Sequence, residues 1–349
     1  MPPILVSVIV PTKDRHDTLV EALDSIAAQS IPHFEAIIVN DGGASPRATI
    51  AKNYPDDARF RLIDCPTSSG PAAARNRGLA ACQGDIITYL DDDDLFLPGH
   101  FAAICAVLGP IDAKPVAYTR AEIIHYRHTA NGYQEERKAI QPHRAFGYRK
   151  LLSENHIPLI CLAHKATRYK DVGGFREDFD QLEDWELILR LTKDVGATPI
   201  DQVTAVYRHL GQRQHVNSVR DNALEIIENI YALHGDVGHV QLRRARYSYL
   251  QRIALMLRTQ RRLGAPYNVE AKLREISNFL SKGTTQPAGD SLRRLVTDLP
   301  DDGELRLLMA RVLRAQNLQI EAEEEIRQVQ LRDPYAQPTP SGDALPTWG

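Results

Sequence analysis

Long apolar runs are missing from this 349-residue sequence, and so is any excess of basic charge. The apolar stretch Ile4–Val10 closes at Pro11, far short of the roughly 20 residues that span a bilayer. It has no basic lead-in, so neither a secretory signal nor a membrane anchor is expected there. Lys and Arg number 42 against 45 Asp and Glu, a net charge of -3, which is opposite to the balance of a nucleic-acid binder. Cysteine is scarce: Cys65, Cys82, Cys105 and Cys161 show no C-x-x-C spacing and no paired histidines. That pattern excludes a zinc ribbon and a disulfide framework and leaves free thiols in a reducing compartment. No G-x-G-x-x-G follows the first apolar run, which removes the nicotinamide-binding fingerprint. A cytoplasmic protein is expected.

What is present is alternation. Ile4–Val10, Phe34–Val39, Arg59–Ile63 and Asp85–Leu90 read as strands, and Asp17–Gln29 and Pro71–Cys82 as helices between them. Strands that are apolar throughout imply a parallel sheet covered on both faces, hence an open α/β domain. Ligands in such sheets bind beyond the carboxyl ends of the strands. Polar clusters stand at those ends: Thr12–Arg15, Asn40–Gly43 and Asp91–Asp94. Further strands are expected at Val116–Ile124, Ile157–Ala163 and Val203–Tyr207, with a helix at Glu183–Leu191. Beyond about residue 218 only helices are expected, at Asn222–Leu233, Val240–Leu263, Val269–Leu280, Gly303–Ala315 and Ile320–Leu331. The division is thus 1–218, an α/β domain; 219–333, an all-helical region; and 334–349, a Pro-rich tail expected to be disordered.

Four adjacent aspartates, Asp91 to Asp94, follow the fourth strand. Like charges so close repel, and a divalent cation would relieve them by taking one or two carboxylates together with substrate phosphate. In an extended backbone Asp91 and Asp93 would face one way, and Asp92 and Asp94 the other. The competing reading is a solvated acidic turn, or Asp94 capping the helical segment Pro98–Leu108. Asp41 stands at the tip of another strand in Asn40-Asp41-Gly42-Gly43, where it could accept from a base or a ribose hydroxyl; an ordinary Asp-Gly turn is the alternative. Gly70–Gly78 opens a helix rich in small residues, whose N-terminus favours anions, with Arg75 and Arg77 aimed at a diphosphate or left as surface charge. Gly173-Gly174-Phe175 followed by Glu183-Asp184-Trp185-Glu186-Leu187 suggests a tight turn under a substrate and a general base held by a packed helix; helix capping competes for Glu183 and Asp184.

The ordered set Pro11-Thr12-Lys13-Asp14-Arg15, Asn40-Asp41-Gly42, Ala74-Arg75-Asn76-x-Gly78, Asp91-x-Asp93-Asp94 and Glu183-Asp184-Trp185-Glu186-Leu187 resembles the family 2 glycosyltransferases, over about residues 4 to 218. The resemblance implies the GT-A fold, a nucleoside-diphosphate sugar donor, and a saccharide, lipid-linked or protein acceptor. It implies inversion at the anomeric carbon with Mn²⁺ or Mg²⁺ bound, in assembly of a bacterial-type surface polysaccharide or glycoconjugate. By the same resemblance Pro11, Thr12, Asp14, Asp41, Arg75, Asp91 and Asp92 bind the nucleotide sugar. Asp93 and His209 bind the metal, and Asp184 is the catalytic base. Gly174, Glu183, Trp185 and Arg208 neighbour the acceptor or diphosphate, with His215 and Ser218 extending the last element. Lys13 stands where the family often has an aromatic residue. The rival from a different class is a non-catalytic scaffold that presents its helical tail to partners.

In that tail, Val240–Leu263 carries Arg243, Arg244, Arg246, Arg252, Arg258, Arg261 and Arg262 and no acid. It reads as a packed helix with a solvated basic face, or as a surface for anionic lipid at the inner membrane face. Gly303–Pro334 is similar to one tetratricopeptide hairpin, with Leu305, Leu308, Ala310 and Leu313 facing Ala322, Ile326 and Val329. A single unit cannot bury its own face, so it must pack on the tail, on a second copy or on a protein partner.

Overall fold

The computed structural model describes residues 4–129, 132–210 and 223–235, and a discontinuous set between 242 and 332. Contacts divide the chain into two units, Met1–Leu151 with Asn155–Ser218, and Leu152–Glu154 with Val219–Gly349.

The first unit is built on a nine-stranded mixed sheet. In chain order its elements are β1 (Val6–Thr12), α1 (His16–Ala27), β2 (Phe34–Asp41), α2 (Arg47–Asn53), β3 (Phe60–Cys65), α3 (Pro71–Ala81), β4 (Ile86–Tyr89), β5 (Leu95–Phe96) and α4 (His100–Leu108). There follow β6 (Val116–Thr129), β7 (Gly132–Ile140), a short turn of helix α5 (Tyr148–Leu151), β8 (Leu162–Lys165), α6 (Ala166–Val172), α7 (Glu183–Thr192) and β9 (Thr198–His209). The strand order is β3-β2-β1-β4-β8-β6-β9-β5, with β7 paired to β6. The β3-β2-β1-β4 portion is parallel, as the doubly apolar β1 and β2 implied. Alternation along them fills two cores. Val6, Val8, Val10 and Ile38 meet Leu19, Leu23 and Ile26 of α1 and Phe101 and Ile104 of α4, whereas Ile37 and Val39 pack with Ala74 of α3 on the other face.

The sheet then turns mixed, because β8 runs antiparallel to both β4 and β6. One sequence reading is corrected in this half, and one strand had no reading. Ile157–Ala163 is not one strand: Leu159–Cys161 forms a 3-10 turn and β8 starts only at Leu162. The run signalled burial, since Ile157, Leu159, Ile160 and Cys161 are all buried, but Pro158 has no N–H to give a sheet ladder. Conversely β7, Gly-Tyr-Gln-Glu-Glu-Arg-Lys-Ala-Ile, carries almost no apolar signal because it is exposed along most of its length.

In the second unit α8 (Ala223–Leu233) is followed by α9 (Thr285–Asp298), α10 (Gly303–Ala315) and α11 (Gln319–Arg332). The sequence reading has no helix at α9, where Pro287 and Gly289 dilute the signal; Pro287 lies in the first turn, where proline is tolerated. Its Leu292, Leu295 and Val296 cover Leu305, Leu308 and Leu313 of α10, and Ala322 and Ile326 of α11 join the same cluster. The expected helices Val240–Leu263 and Val269–Leu280 lie mostly outside the described residues. Of their basic face, Arg246 is buried, donates to the Leu152 carbonyl at 3.0 Å and lies over the Tyr231 ring. Arg252 pairs with Asp302 at 3.0 Å. Neither forms a solvated face, because each has a carbonyl or a carboxylate to satisfy inside the unit. Among the described residues no helix is long and apolar enough to cross a membrane.

Candidate active site

The carboxyl ends of β1, β2 and β4 bring together the segments singled out in the sequence. Pro11 lies within β1 opposite Val39, and Thr12 ends the strand. The chain reverses through Asp14, whose backbone is left-handed (φ 55°). Asp14 Oδ1 accepts the Ala44 N–H at 2.7 Å, and a Cβ on Gly43 would stand 2.7 Å from that same oxygen. Glycine at 43 is therefore what lets the loops after β1 and β2 close on each other.

Asp41, at the end of β2, accepts from Ser68 Oγ (2.7 Å), the Ser69 N–H (2.8 Å) and the Gly70 N–H (2.9 Å). Arg77 stands 3.6 Å from it. The buried carboxylate thus shapes the loop that enters α3. That helix lies close on the sheet because its inner face is small: a Cβ on Gly78 would stand 2.6 Å from Ile9 Cγ2. Close approach places Arg75, with a side chain 7% exposed, between the two acidic motifs. Its Nη2 donates to Asp91 Oδ1 and its Nη1 to Glu183 Oε1, both at 2.7 Å. Burial alone would lower the guanidinium pKa; Asp91 and Glu183 outweigh it and raise it.

The aspartate run is a turn, not an extended strand, closed by the Asp94 N–H on the Asp91 carbonyl at 3.1 Å. Expected alternation is therefore lost. Asp92 and Asp93 converge on one atom, Arg15 Nη1, at 2.9 and 2.8 Å. Asp92 also accepts from Thr12 Oγ1 at 2.7 Å. Burial pushes its carboxyl up to about 6, with Asp93 and Asp91 adding to the rise and Arg15 and Thr12 opposing it. Asp94 does not cap α4, whose N-cap is Gly99; it accepts the Arg208 N–H at 2.7 Å. Burial, then Asp93 and Asp91, hold its carboxyl well above the usual range. Arg208 Nε donates to the Asp93 carbonyl at 2.5 Å and its Nη1 pairs with Glu21. Arg208 thus braces the turn from behind.

The α7 acids serve neither as caps nor as surface charge. The helix starts after Leu182, left-handed at φ 60°, with no side-chain cap. Glu183 reaches Arg75, while Asp184 Oδ1 accepts the Trp185 N–H at 2.7 Å and Oδ2 faces Asn155 Nδ2 at 3.3 Å. Burial and the adjacent Glu183 push the Asp184 carboxyl up to about 7, against the opposing Trp185 N–H and Arg75. An acid poised there can take a proton near neutrality. Trp185 itself is fully buried and donates to the Leu151 carbonyl at 2.7 Å; it holds α7 from beneath. Gly174 sits where a Cβ would come within 2.3 Å of Asn76 Oδ1. Asn76 binds both the N–H and the carbonyl of Phe175, at 2.7 and 2.9 Å, and Arg190 Nη2 donates to the Gly174 carbonyl at 2.6 Å.

His209 stacks on His125 of β6 with ring centroids 4.3 Å apart. Among the described residues no three of His, Cys, Asp and Glu are grouped as metal ligands; His215 and Ser218 lie outside the described residues. Mg²⁺ and Mn²⁺ ask for only one or two carboxylates when phosphate and water complete the shell. Asp91, whose side chain is 34% exposed, and Asp93 at 12% fit that demand. Four residues of this site carried no role in the sequence reading: Arg15, Glu21, Asn76 and Asn155. Arg15 and Asn76 stand inside motifs that carry the resemblance, whereas Glu21 and Asn155 have no signal in the sequence.

Comparison with known proteins agrees with this fold. The family model described as glycosyl transferase family 2 matches residues 7–172. The uncharacterized glycosyltransferase YwdF of Bacillus subtilis is 29% identical over 204 residues, 58% of this chain and 73% of that protein. The O-antigen biosynthesis protein RfbC of Myxococcus xanthus is 24% identical over 231 residues, 63% of this chain but 17% of that protein. Among solved structures, S. aureus TarS 1-349 in complex with UDP-GlcNAc superposes with a TM-score of 0.54 at 17% identity, covering 95% of this chain and 93% of that one.

Proposed function

Because residues 7–172 form a glycosyl transferase family 2 domain, we propose that the chain transfers a sugar, with inversion, from a nucleoside-diphosphate sugar to an acceptor hydroxyl. The setting is assembly of a bacterial-type surface polysaccharide or glycoconjugate. The observation that carries this reading is the Arg75 bridge, which joins Asp91 and Glu183 through one buried guanidinium and so sets the base-bearing helix against the aspartate turn.

In this reading Pro11, Thr12, Asp14 and Asp41 border the nucleoside and Asp91 its ribose. Asp93, with Asp91, would hold Mn²⁺ or Mg²⁺, with His209 the more distant candidate. The cation, when bound, supplies positive charge to the diphosphate leaving group. Asp184 takes the proton of the acceptor hydroxyl while the acceptor oxygen forms its bond to the anomeric carbon. The bond from that carbon to the diphosphate oxygen breaks on the opposite side. Glu183 stays paired with Arg75, and Gly174, in the turn pinned by Asn76, borders the acceptor.

UDP is the first nucleotide to test, given the donor bound to TarS. Calorimetric titration of UDP, GDP and dTDP, each with and without Mn²⁺, should show one nucleotide whose binding needs the cation. Asp184→Asn should leave that affinity intact while turnover falls by about 10²–10⁴-fold. Absence of binding by all three nucleotides would replace this reading with a scaffold.

A further inference from the structure

Three arginines neutralise the aspartate turn, and they are not equivalent. Arg75 is held on two sides at 7% side-chain exposure. Arg208, at 9%, is fixed by the Asp93 carbonyl and Glu21. Arg15 is 25% exposed and reaches Asp92 Oδ1 and Asp93 Oδ2 through a single nitrogen, Nη1. It leaves the backbone at the N-cap of α1, directly after the left-handed Asp14. One rotation of its long side chain breaks both bonds together without disturbing the backbone.

We propose that Arg15 is the resident counter-cation of the aspartate turn, holding the Asp93 carboxylate in the place a divalent cation takes when donor binds. The inference rests on the metal-and-nucleotide reading above. A divalent cation on Asp93 Oδ2 would stand against the guanidinium that already occupies that oxygen, and the repulsion between them displaces Arg15. Without donor, that displacement strands the arginine charge. With donor present, a diphosphate offers the freed guanidinium a forked, doubly charged partner. Cation and donor then favour each other's binding through Arg15, a coupling that is reciprocal by thermodynamic necessity. The arrangement also keeps the four-acid turn from collecting cations when no donor is present.

The test is Mn²⁺ binding to the full chain, followed by the electron paramagnetic resonance signal of free Mn²⁺, with and without UDP. Arg15→Gln should bind Mn²⁺ alone about tenfold tighter than the wild type, the scale of one lost charge-assisted hydrogen bond. Adding UDP should improve Mn²⁺ affinity less in the variant than in the wild type. The gain should vanish in Arg15→Gln combined with Asp93→Asn. Arg15→Lys, whose point charge reaches one carboxylate less fully, should show a smaller gain and serves if the Gln variant fails to fold by circular dichroism. Equal Mn²⁺ affinity in wild type and variants, with UDP still recruiting Mn²⁺ to all of them, would overturn the role of Arg15. If UDP recruits no Mn²⁺ to any of them, the metal reading itself has failed and this inference falls with it.

Discussion

Replacing Arg75 with methionine keeps much of the side-chain volume and removes the charge that two acids share. The cost can be apportioned from exposure. Asp91 is 34% exposed on its side chain, so water replaces much of what it loses, and its share is near the 0–1 kcal/mol of a surface pair. Glu183 is 8% exposed and would remain a buried charge without its partner, a situation that costs about 3–5 kcal/mol. We expect Arg75→Met to destabilise the first unit by about 3 kcal/mol, read as a lowered urea midpoint at unchanged slope. If the cost is the orphaned Glu183, then Arg75→Met with Glu183→Gln should recover about half of it, and the double-mutant cycle should show strong coupling. Arg75 also opposes the rise of the Asp184 carboxyl, so Arg75→Met should move that group further above 7. A loss under about 1 kcal/mol, or strict additivity of the two substitutions, would refute the buried-bridge account.

Three further outcomes follow from the same geometry. Asp184, pushed up to about 7, must be ionised to accept a proton, so turnover at saturating donor should rise through pH 7 and level off above it; a flat profile from about pH 5.5 to 8.5 would contradict the assignment. The linkage has the opposite sign to that of a salt-bridged acid. The folded state keeps a proton that the unfolded chain releases near its ordinary 3.8, so stability falls as pH rises from about 4 to 7. Asp184→Asn should therefore melt higher than wild type at pH 8, by on the order of a few kcal/mol, and no higher at pH 4; no gain at pH 8 would refute this. Gly78→Val would drive a side chain into Ile9, already 2.6 Å from a bare Cβ, and should cost about 1–3 kcal/mol by overpacking. Thermal unfolding at unchanged melting temperature would show that α3 can lift off β1.

The parallel half of the sheet was legible because both faces of β1 and β2 are buried, which leaves an unbroken apolar run in the chain. The candidate site's position was legible for the same reason, since the carboxyl ends of such strands are where polar clusters gather. What stayed hidden was pairing across distance. Nothing near Asp91 in the sequence announces Arg75 as its partner, and nothing near Asp92 announces Arg15, 77 residues earlier. Four acids in a row therefore read as a charge conflict awaiting a metal. Strand β7 was illegible for a different reason, because its residues are exposed and its register comes from β6 alone.

Arginine supply changes how the acidic motifs should be understood. A metal site built of bare carboxylates would be strained until the ion arrived, and the protein without donor would be its least stable state. Here the charge is balanced from within: Arg208 and Arg75 fix the turn and its link to α7, and Arg15 covers the face that opens to solvent. The two fixed arginines make the geometry independent of the cation. The exposed one makes occupancy conditional. Asp184 stands apart from this balance, since its hydrogen bonds come from the Trp185 N–H and Asn155 and its neighbour Glu183 takes the arginine. That leaves Asp184, outside the turn, with a raised pKa and no ion pair of its own among the described residues, which is the condition a general base requires.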